Sequence, residues 1–123
     1  QVPASASTGP TLTVERFLRA ANANDLKIMT QLFGTRGKTI VQLEGQTRAE
    51  QRMYVLASLL RHDDYSITGQ QAVPGRMTDA TDLLVRITRE GESVTVPFLV
   101  VRTRDGWIIE RIEVEPLTRL PSG

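Results

Sequence analysis

The sequence changes its hydrophobic period once, near residue 63, and this change limits the possible folds more than any other feature of the chain. Before this point, apolar residues recur at the spacing of one helical face. After it, they alternate with polar residues at every second position, as in the strands of an antiparallel sheet. The pattern therefore predicts an α+β domain in which three helices precede an antiparallel meander.

The predicted helices lie in TVERFLRAAN, in DLKIMTQLFG and in a third segment that starts at residues 47–50. The second ends at Gly34, which suits the left-handed position that follows a helix. The third opens with Thr-Arg-Ala-Glu, which matches a capping box. Between the second and third helices, TIVQLEG is predicted to form a short strand.

Four strands are predicted after the change of period. They cover YSITGQQAV, LLVRITRE, VTVPFLVVRT and WIIERIEV. Asp105 and Gly106 separate the last two strands, and an Asp-Gly pair between β-branched runs is a strong hairpin signal. We expect Trp107, the only tryptophan, to anchor this hairpin to the core.

Composition excludes several classes of function. The 123 residues suit one domain, with 15 basic and 14 acidic side chains spread along the chain, so a nucleic-acid partner is not expected. No apolar run is long enough to span a membrane. The chain has no cysteine, which excludes disulfides, thiol nucleophiles and cysteine-bound metals. No cofactor is predicted.

The two ends of the chain differ in composition from its middle. Residues 1–10 are rich in Pro, Ser, Ala and Thr, which predicts a flexible linker. Prolines at 116 and 121 indicate that the folded domain covers residues 11–116 and that residues 117–123 form a tail. Such a linker is typical of an exported bacterial protein, periplasmic or lipid-anchored, although the absence of cysteine fits the cytoplasm equally well.

Two segments carry a resemblance to a known superfamily. VERFLRAANANDLKIMTQLF and RDGWIIERI are similar to the opening helices and the final strand of nuclear-transport-factor-two-like proteins, which include ketosteroid isomerase and SnoaL-like polyketide cyclases. The resemblance covers residues 11–115. It implies a cone, in which the helices pack in the concave face of a curved sheet. Its members use the pocket at the open end for catalysis or for binding, or they fill it.

The resemblance implies an apolar pocket that could receive an apolar small molecule. The candidate lining residues are Tyr54, Leu83, Val85, Phe98, Val100, Trp107 and Ile109.

The chemistry of the enzymatic members is difficult to find in this chain. An isomerase of this kind needs a carboxylate base in an apolar pocket, and TIVQLEG offers only Glu44, at its end. The single histidine, His62, lies beside Asp63 and Asp64 and is interpreted as a solvated helix end. Three adjacent residues do not converge on a metal ion, so no catalytic residue and no metal ligand are predicted.

The last two strands are apolar on both faces, although one face of such a sheet is expected to be polar. We therefore predict a homodimer through the outer face of the sheet. The candidate interface residues are Leu99, Val101, Ile108, Glu110 and Ile112. In the second strand, Arg86 is interpreted either as part of a solvated face or as a partner of an acidic residue on the last strand.

These observations favour a non-enzymatic domain that binds a small ligand or assembles with protein, in the bacterial cell envelope. The alternative is a small isomerase, dehydratase or cyclase that acts on an apolar carbonyl compound, with Tyr54, Asp63 or Glu44 as its acid-base residues.

Overall fold

A computed structural model describes residues 9–35, 37–75, 79–104 and 106–121 of the chain. Helices precede strands as the change of period predicts, and the fold is α+β with a curved antiparallel sheet. The elements are α1 (Pro10–Ala23), α2 (Leu26–Gln31), α3 (Ile40–Glu44), α4 (Gln46–Leu60), β1 (Asp64–Ala72), β2 (Ala80–Arg89), β3 (Glu92–Thr103), β4 (Gly106–Ile112) and a C-terminal 3₁₀ helix (Glu115–Arg119). No described helix is both long and apolar enough to cross a membrane.

The ANAND corner separates α1 from α2 through two local devices. Asn24 adopts a left-handed conformation with φ of 57°, and its N–H donates to the carbonyls of Ala20 and Ala21, which ends α1. The carboxylate of Asp25 then accepts from the backbone N–H of Ile28 at 3.3 Å and caps α2. Two short helices can therefore meet at one tight corner.

The strand predicted over residues 39–45 is wrong, because this segment forms the helix α3. Its sequence fits a capping box, in which the Gln42 N–H donates to Thr39 Oγ1 at 3.4 Å and the Thr39 N–H donates to Gln42 Oε1 at 2.8 Å. The capping box predicted at residues 47–50 is also wrong, since α4 begins at Gln46 after Gly45 without a side-chain cap. The described chain therefore has four α-helices before the sheet rather than three.

Gly34 does not end a helix in the predicted way, because α2 stops at Gln31. The chain then runs beside β4, where the Ile109 N–H donates to Leu32 O at 2.8 Å and the Gly34 N–H donates to Ile109 O at 3.0 Å. A Cβ atom at Gly34 would lie 2.3 Å from the Lys38 carbonyl oxygen, so no larger residue fits. This segment covers part of the edge of the sheet.

The four strands form the predicted meander, in the order β1-β2-β3-β4, with all pairs antiparallel. Arg89 pairs with Glu92 across a two-residue turn, and Glu90 and Gly91 both have positive φ, as the favoured hairpin turns require. Thr103 pairs with Gly106 at the next hairpin, and the Asp105 of the predicted turn lies outside the described residues.

An irregularity in the pairing of β3 with β4 changes which side chains face the helices. Val100 pairs with Ile109 but Leu99 pairs with Arg111, so the register skips Glu110. Ile109 and Ile112 consequently both belong to the main core, between the helices and the inner face of the sheet. A second, smaller cluster lies elsewhere in the sheet and contains Ala80, Leu99, Val101 and Ile108, with Val73 packed against it.

The C-terminal segment is part of the folded domain. Residues 115–119 form the 3₁₀ helix, with Pro116 near its start, where the missing N–H is tolerated. Leu117 and Leu120 are buried in the main core, at 1% and 7% exposure. The folded part therefore extends at least to Leu120, beyond the predicted boundary. At the other end, Pro10 starts α1, and the rest of the predicted linker up to residue 8 lies outside the described residues.

Candidate ligand-binding site

The strand residues predicted to line a pocket are tightly packed in the core. Each has 0% exposure, and none borders a described cavity: they are Leu83, Val85, Phe98, Val100 and Ile109. Trp107 is half-buried against the core, and its carbonyl accepts from Thr13 Oγ1 at 3.2 Å, which suits the predicted anchoring role. It borders two depressions beside the start of α1. The interior of the cone between helices and sheet is therefore filled at these positions.

A hollow of about 530 Å³ lies at one end of this core, and we call it the end hollow. It is bordered by the last turn of α1, the second half of α4, the last residue of β2 and the 3₁₀ helix. The lining residues are Ala21, Asn22, Asn24, Tyr54, Ala57, Ser58, Leu59, Arg61, Arg89, Leu117, Thr118 and Leu120. Its volume lies within the range of small-molecule sites. Of the predicted pocket residues, Tyr54 borders it, with 55% exposure.

Arg89 distinguishes the end hollow from an ordinary gap in packing. It follows Leu83, Val85 and Ile87 on the inner face of β2 and is only 4% exposed. Its Nε is buried and has no hydrogen-bond partner, and none of the described ion pairs includes it. Desolvation lowers the pKa of Arg89, and repulsion from Arg61 adds to this effect. The attractions of Glu90 and Asp63 act in the opposite direction.

Arg86, interpreted above either as part of a solvated face or as a partner of an acidic residue, is exposed on the other face of β2. The alternation along β2 already places Arg89 on the same face as Leu83, Val85 and Ile87. The signal for Arg89 was therefore present in the sequence, because the predicted strand LLVRITRE includes this residue.

Asn22, a polar residue of the end hollow, is held by hydrogen bonds between α1 and the segment that follows α4. Asn22 Nδ2 donates to the His62 carbonyl at 2.9 Å, and the His62 N–H donates to Asn22 Oδ1 at 3.1 Å. His62 itself is buried, at 8% exposure, with Nδ1 2.8 Å from the Leu60 carbonyl oxygen and its ring edge-on to Tyr65. The solvated helix end predicted for His62 is therefore wrong, because Asn22 ties this segment to α1.

Asp63 and Glu44, the two acidic residues considered for acid-base catalysis, both form local contacts. The Asp63 N–H donates to the Thr88 carbonyl at 2.8 Å, and the Asp63 carboxylate accepts from the Glu90 N–H at 2.7 Å, which fixes the β2–β3 turn. Glu44 pairs with Arg52 and does not border the end hollow. Within the described ranges, no group of three His, Asp or Glu residues could hold a metal ion.

The candidate interface residues divide between two places. Leu99, Val101 and Ile108 belong to the second cluster, and Val101 is 0% exposed within the single chain. Placing Ile112 beside them is wrong, because the skipped residue Glu110 turns it into the main core. Glu110 is half-buried. The homodimer itself stays a prediction.

Searches of protein-family models and of curated proteins give no match to this chain. Among solved structures, the chain is similar to a Campylobacter jejuni protein, solved at 2.00 Å resolution and described provisionally as an NTF2-like transpeptidase. The TM-score is 0.60 at 11% identity, and the alignment covers 83% of this chain and 97% of that chain. Similarity at this identity shows the fold alone. The chain has the NTF2-like α+β cone fold, and the resemblance seen in the sequence is confirmed at that level.

Proposed function

We propose that this chain is a non-enzymatic domain that binds a small molecule in the end hollow. The observation that carries the proposal is the combination of a buried arginine with apolar walls around a cavity of about 530 Å³. Ala21, Ala57, Leu117 and Leu120 supply those apolar walls. A concave apolar site with a few placed polar groups is the usual form of a small-molecule site.

The polar groups around the end hollow favour retention of a ligand over its conversion. Ser58 Oγ donates to the Tyr54 carbonyl within α4, at 3.1 Å, and Thr118 Oγ1 donates to the Glu115 carbonyl at 2.7 Å. Neither hydroxyl is paired with a base, as nucleophilic catalysis would require. The transpeptidase description therefore stays with the Campylobacter jejuni protein.

Ligand binding can be tested by nuclear magnetic resonance of the methyl groups. We expect small neutral and charged compounds to shift the methyl signals of Ala57 and Leu117, while those of Val101 and Ile108 in the second cluster stay in place. If no compound moves the Ala57 and Leu117 signals, or if all four move together, the end hollow is not a binding site.

The enzymatic alternative rests on Tyr54, which is the one acid-base candidate that borders the end hollow. A small isomerase, dehydratase or cyclase would turn over activated carbonyl compounds and lose that activity in Tyr54→Phe. We expect no turnover above the uncatalysed rate in the wild-type protein. Turnover that disappears in Tyr54→Phe but survives in Glu44→Gln would replace the binding proposal with the enzymatic one.

The proposed setting is the bacterial cell envelope, with residues 1–8 as a tether that holds the domain away from its anchor. The Pro, Ser, Ala and Thr content of this segment supports the idea. Fractionation of the native cells should recover the protein with the envelope or periplasm, and recovery with the cytoplasm would contradict this setting.

We also propose that two copies of the chain form a homodimer through the outer face of the sheet. Light scattering should then give twice the mass of one chain.

A further inference from the structure

We infer that the ligand of the end hollow is a small organic anion whose carboxylate or phosphate group binds Arg89. This inference rests on the proposed function and adds the chemical class of the ligand. Its basis is an imbalance of charge in the lining of the hollow. The lining contains Arg61 and Arg89, and none of the described lining residues is Asp or Glu.

The state of Arg89 is costly for the free protein. Arg89 is only 4% exposed as a residue, and its buried Nε has no hydrogen-bond partner to replace the water that it has lost. Repulsion from Arg61 adds to that cost, and its effect on the pKa of Arg89 is larger than that of Glu90 or of Asp63 taken singly. Asp63 also contributes one carboxylate oxygen to the Glu90 N–H, at 2.7 Å. An anion in the hollow would supply the hydrogen-bond partner that the Arg89 Nε lacks.

Arginine also fits this role by its geometry. Its planar fork of N–H donors matches the oxygens of a carboxylate or a phosphate and binds them in pairs. The 3₁₀ helix and α4 place Leu117, Leu120 and Ala57 around the same hollow. The anionic group would therefore bind at the end of β2, while an apolar body packs against these side chains.

The neutral polar residues of the wall form hydrogen bonds within the chain and offer an anion few donors. Asn22 is held by two hydrogen bonds to the backbone of His62, so its position does not depend on the ligand. Ser58 and Thr118 each donate to a helix carbonyl, which leaves their oxygens available as acceptors rather than as donors. The charged donor for an anion is consequently Arg89, with Arg61 as a second cation at the rim.

The test compares three compounds of equal chain length: hexanoate, hexyl phosphate and the neutral hexanamide. Dissociation constants come from the methyl shifts of Ala57 and Leu117 in the full chain. We expect at least one anion to bind roughly tenfold or more tightly than hexanamide, since a hydrogen bond to a charged group is stronger than one to a neutral group. The tighter of the two anions tells whether a carboxylate or a phosphate is the preferred group.

Two substitutions on one strand make the test specific. Arg89→Met should remove the preference for the anion, and Arg86→Met, the same change on the exposed face of β2, should retain it. Arg89→Lys keeps the charge without the fork and should bind the anion with intermediate affinity, which provides a second variant if Arg89→Met does not fold.

The outcomes separate the inference from the proposed function. An anion that binds more tightly than hexanamide, and loses this advantage in Arg89→Met alone, supports both. Equal binding of hexanamide and the anions, or unchanged anion binding in both Arg89 variants, overturns the anionic ligand and leaves a neutral binding site. Methyl signals that none of the three compounds moves overturn the proposed function together with the inference.

Discussion

Four alternate residues of β2 face the helices, and the last one differs in kind from the other three. Leu83, Val85 and Ile87 are fully buried among apolar neighbours, whereas Arg89 is almost as deeply buried and has an unpartnered Nε. The first three positions belong to the closed part of the core, and Arg89 belongs to the end hollow. Apolar packing explains the closed part completely, and it offers no reason for the guanidinium.

The two regions therefore differ in what their inward side chains contribute. In the closed part, every inward side chain adds contact area and thereby stability. In the end hollow, a charged residue is kept where burial penalises it, and none of the ion pairs among the described residues includes it. Residues that break a local rule of stability in an otherwise consistent fold are the ones expected to serve function. The following substitutions test this comparison.

The largest effect is expected in the closed part, from Phe98→Ala. Phe98 is fully buried, pairs with Leu83 and Ile112 in the sheet and is among the largest fully buried side chains. Its removal should lower the free energy of unfolding by about 3–5 kcal/mol, because the packed neighbours cannot close the cavity. Denaturant unfolding measures this change. A loss below that of a surface substitution would show that this part of the core is loosely packed.

A smaller loss is expected for Leu117→Ala, between the core and the end hollow. Leu117 is buried at 1% exposure, yet it also borders the hollow, so its removal enlarges an existing space. We expect a decrease of about 2–3 kcal/mol in the free energy of unfolding, toward the lower end for such changes. If the variant unfolds exactly as the wild-type protein does, residues 117–120 are a tail after all, as the sequence first indicated.

Arg89→Met should leave the free energy of unfolding unchanged or raise it by up to about 1 kcal/mol, because it removes a charged group whose Nε is buried without a hydrogen-bond partner. If Arg89 instead stabilises the fold, Arg89→Met should lower the free energy of unfolding, because its loss would break stabilising contacts. Arg86→Met is the matched control and should stay within about 0.5 kcal/mol of the wild-type protein. A clear destabilisation in Arg89→Met, but not in Arg86→Met, would show that Arg89 stabilises the fold.

The fold was predictable to a large extent because it depends on periodicity. Alternation along the strands predicted β2, β3 and β4 within a few residues and the meander that joins them. The errors came from places where two local patterns compete. TIVQ and TRAE both fit a capping box, and the strand-like look of Thr39 to Val41 hid the first of them. In β4, the skipped residue Glu110 reversed the face of Ile112, and periodicity alone does not reveal such an irregularity.

The candidate site was less predictable, because it is assembled from distant segments. The end hollow needs the last turn of α1, α4, the end of β2 and the 3₁₀ helix together, and only the packed structure brings them into contact. Tyr54 was named in advance, whereas Asn22, Arg89 and Leu117 were not. For Leu117 the reason is that Pro116 looked like the end of the domain, although it lies near the start of a short helix that is buried against the core.

The smallest effect on stability is expected at Tyr65, a second titratable group whose pH dependence can be compared with that of Arg89. Burial raises the pKa of Tyr65 above its ordinary value of 10.0, with Glu15 and Asp64 acting in the same direction and Arg19 against them. The folded chain therefore keeps the phenol proton at pH values where the unfolded chain has lost it. The resulting stability is fully present below pH 10.0 and is lost as the pH rises through the folded pKa.

Desolvation is also the largest cause of the pKa shift of Arg89, but for this residue it favours loss of the proton. The unfolded chain then binds more protons in the pH window just below the ordinary pKa of arginine, so in that window this group makes the stability rise with pH. Tyr65→Phe should remove the alkaline loss of stability, whereas Arg89→Met should retain it, as measured by denaturant unfolding on both sides of the ordinary tyrosine pKa. Burial thus disfavours the charged form of both groups, which costs stability at alkaline pH for the phenol and at neutral pH for the guanidinium. If Tyr65→Phe shows the same alkaline loss as the wild-type protein, the phenol is solvated, and the closed part of the core ends before β1.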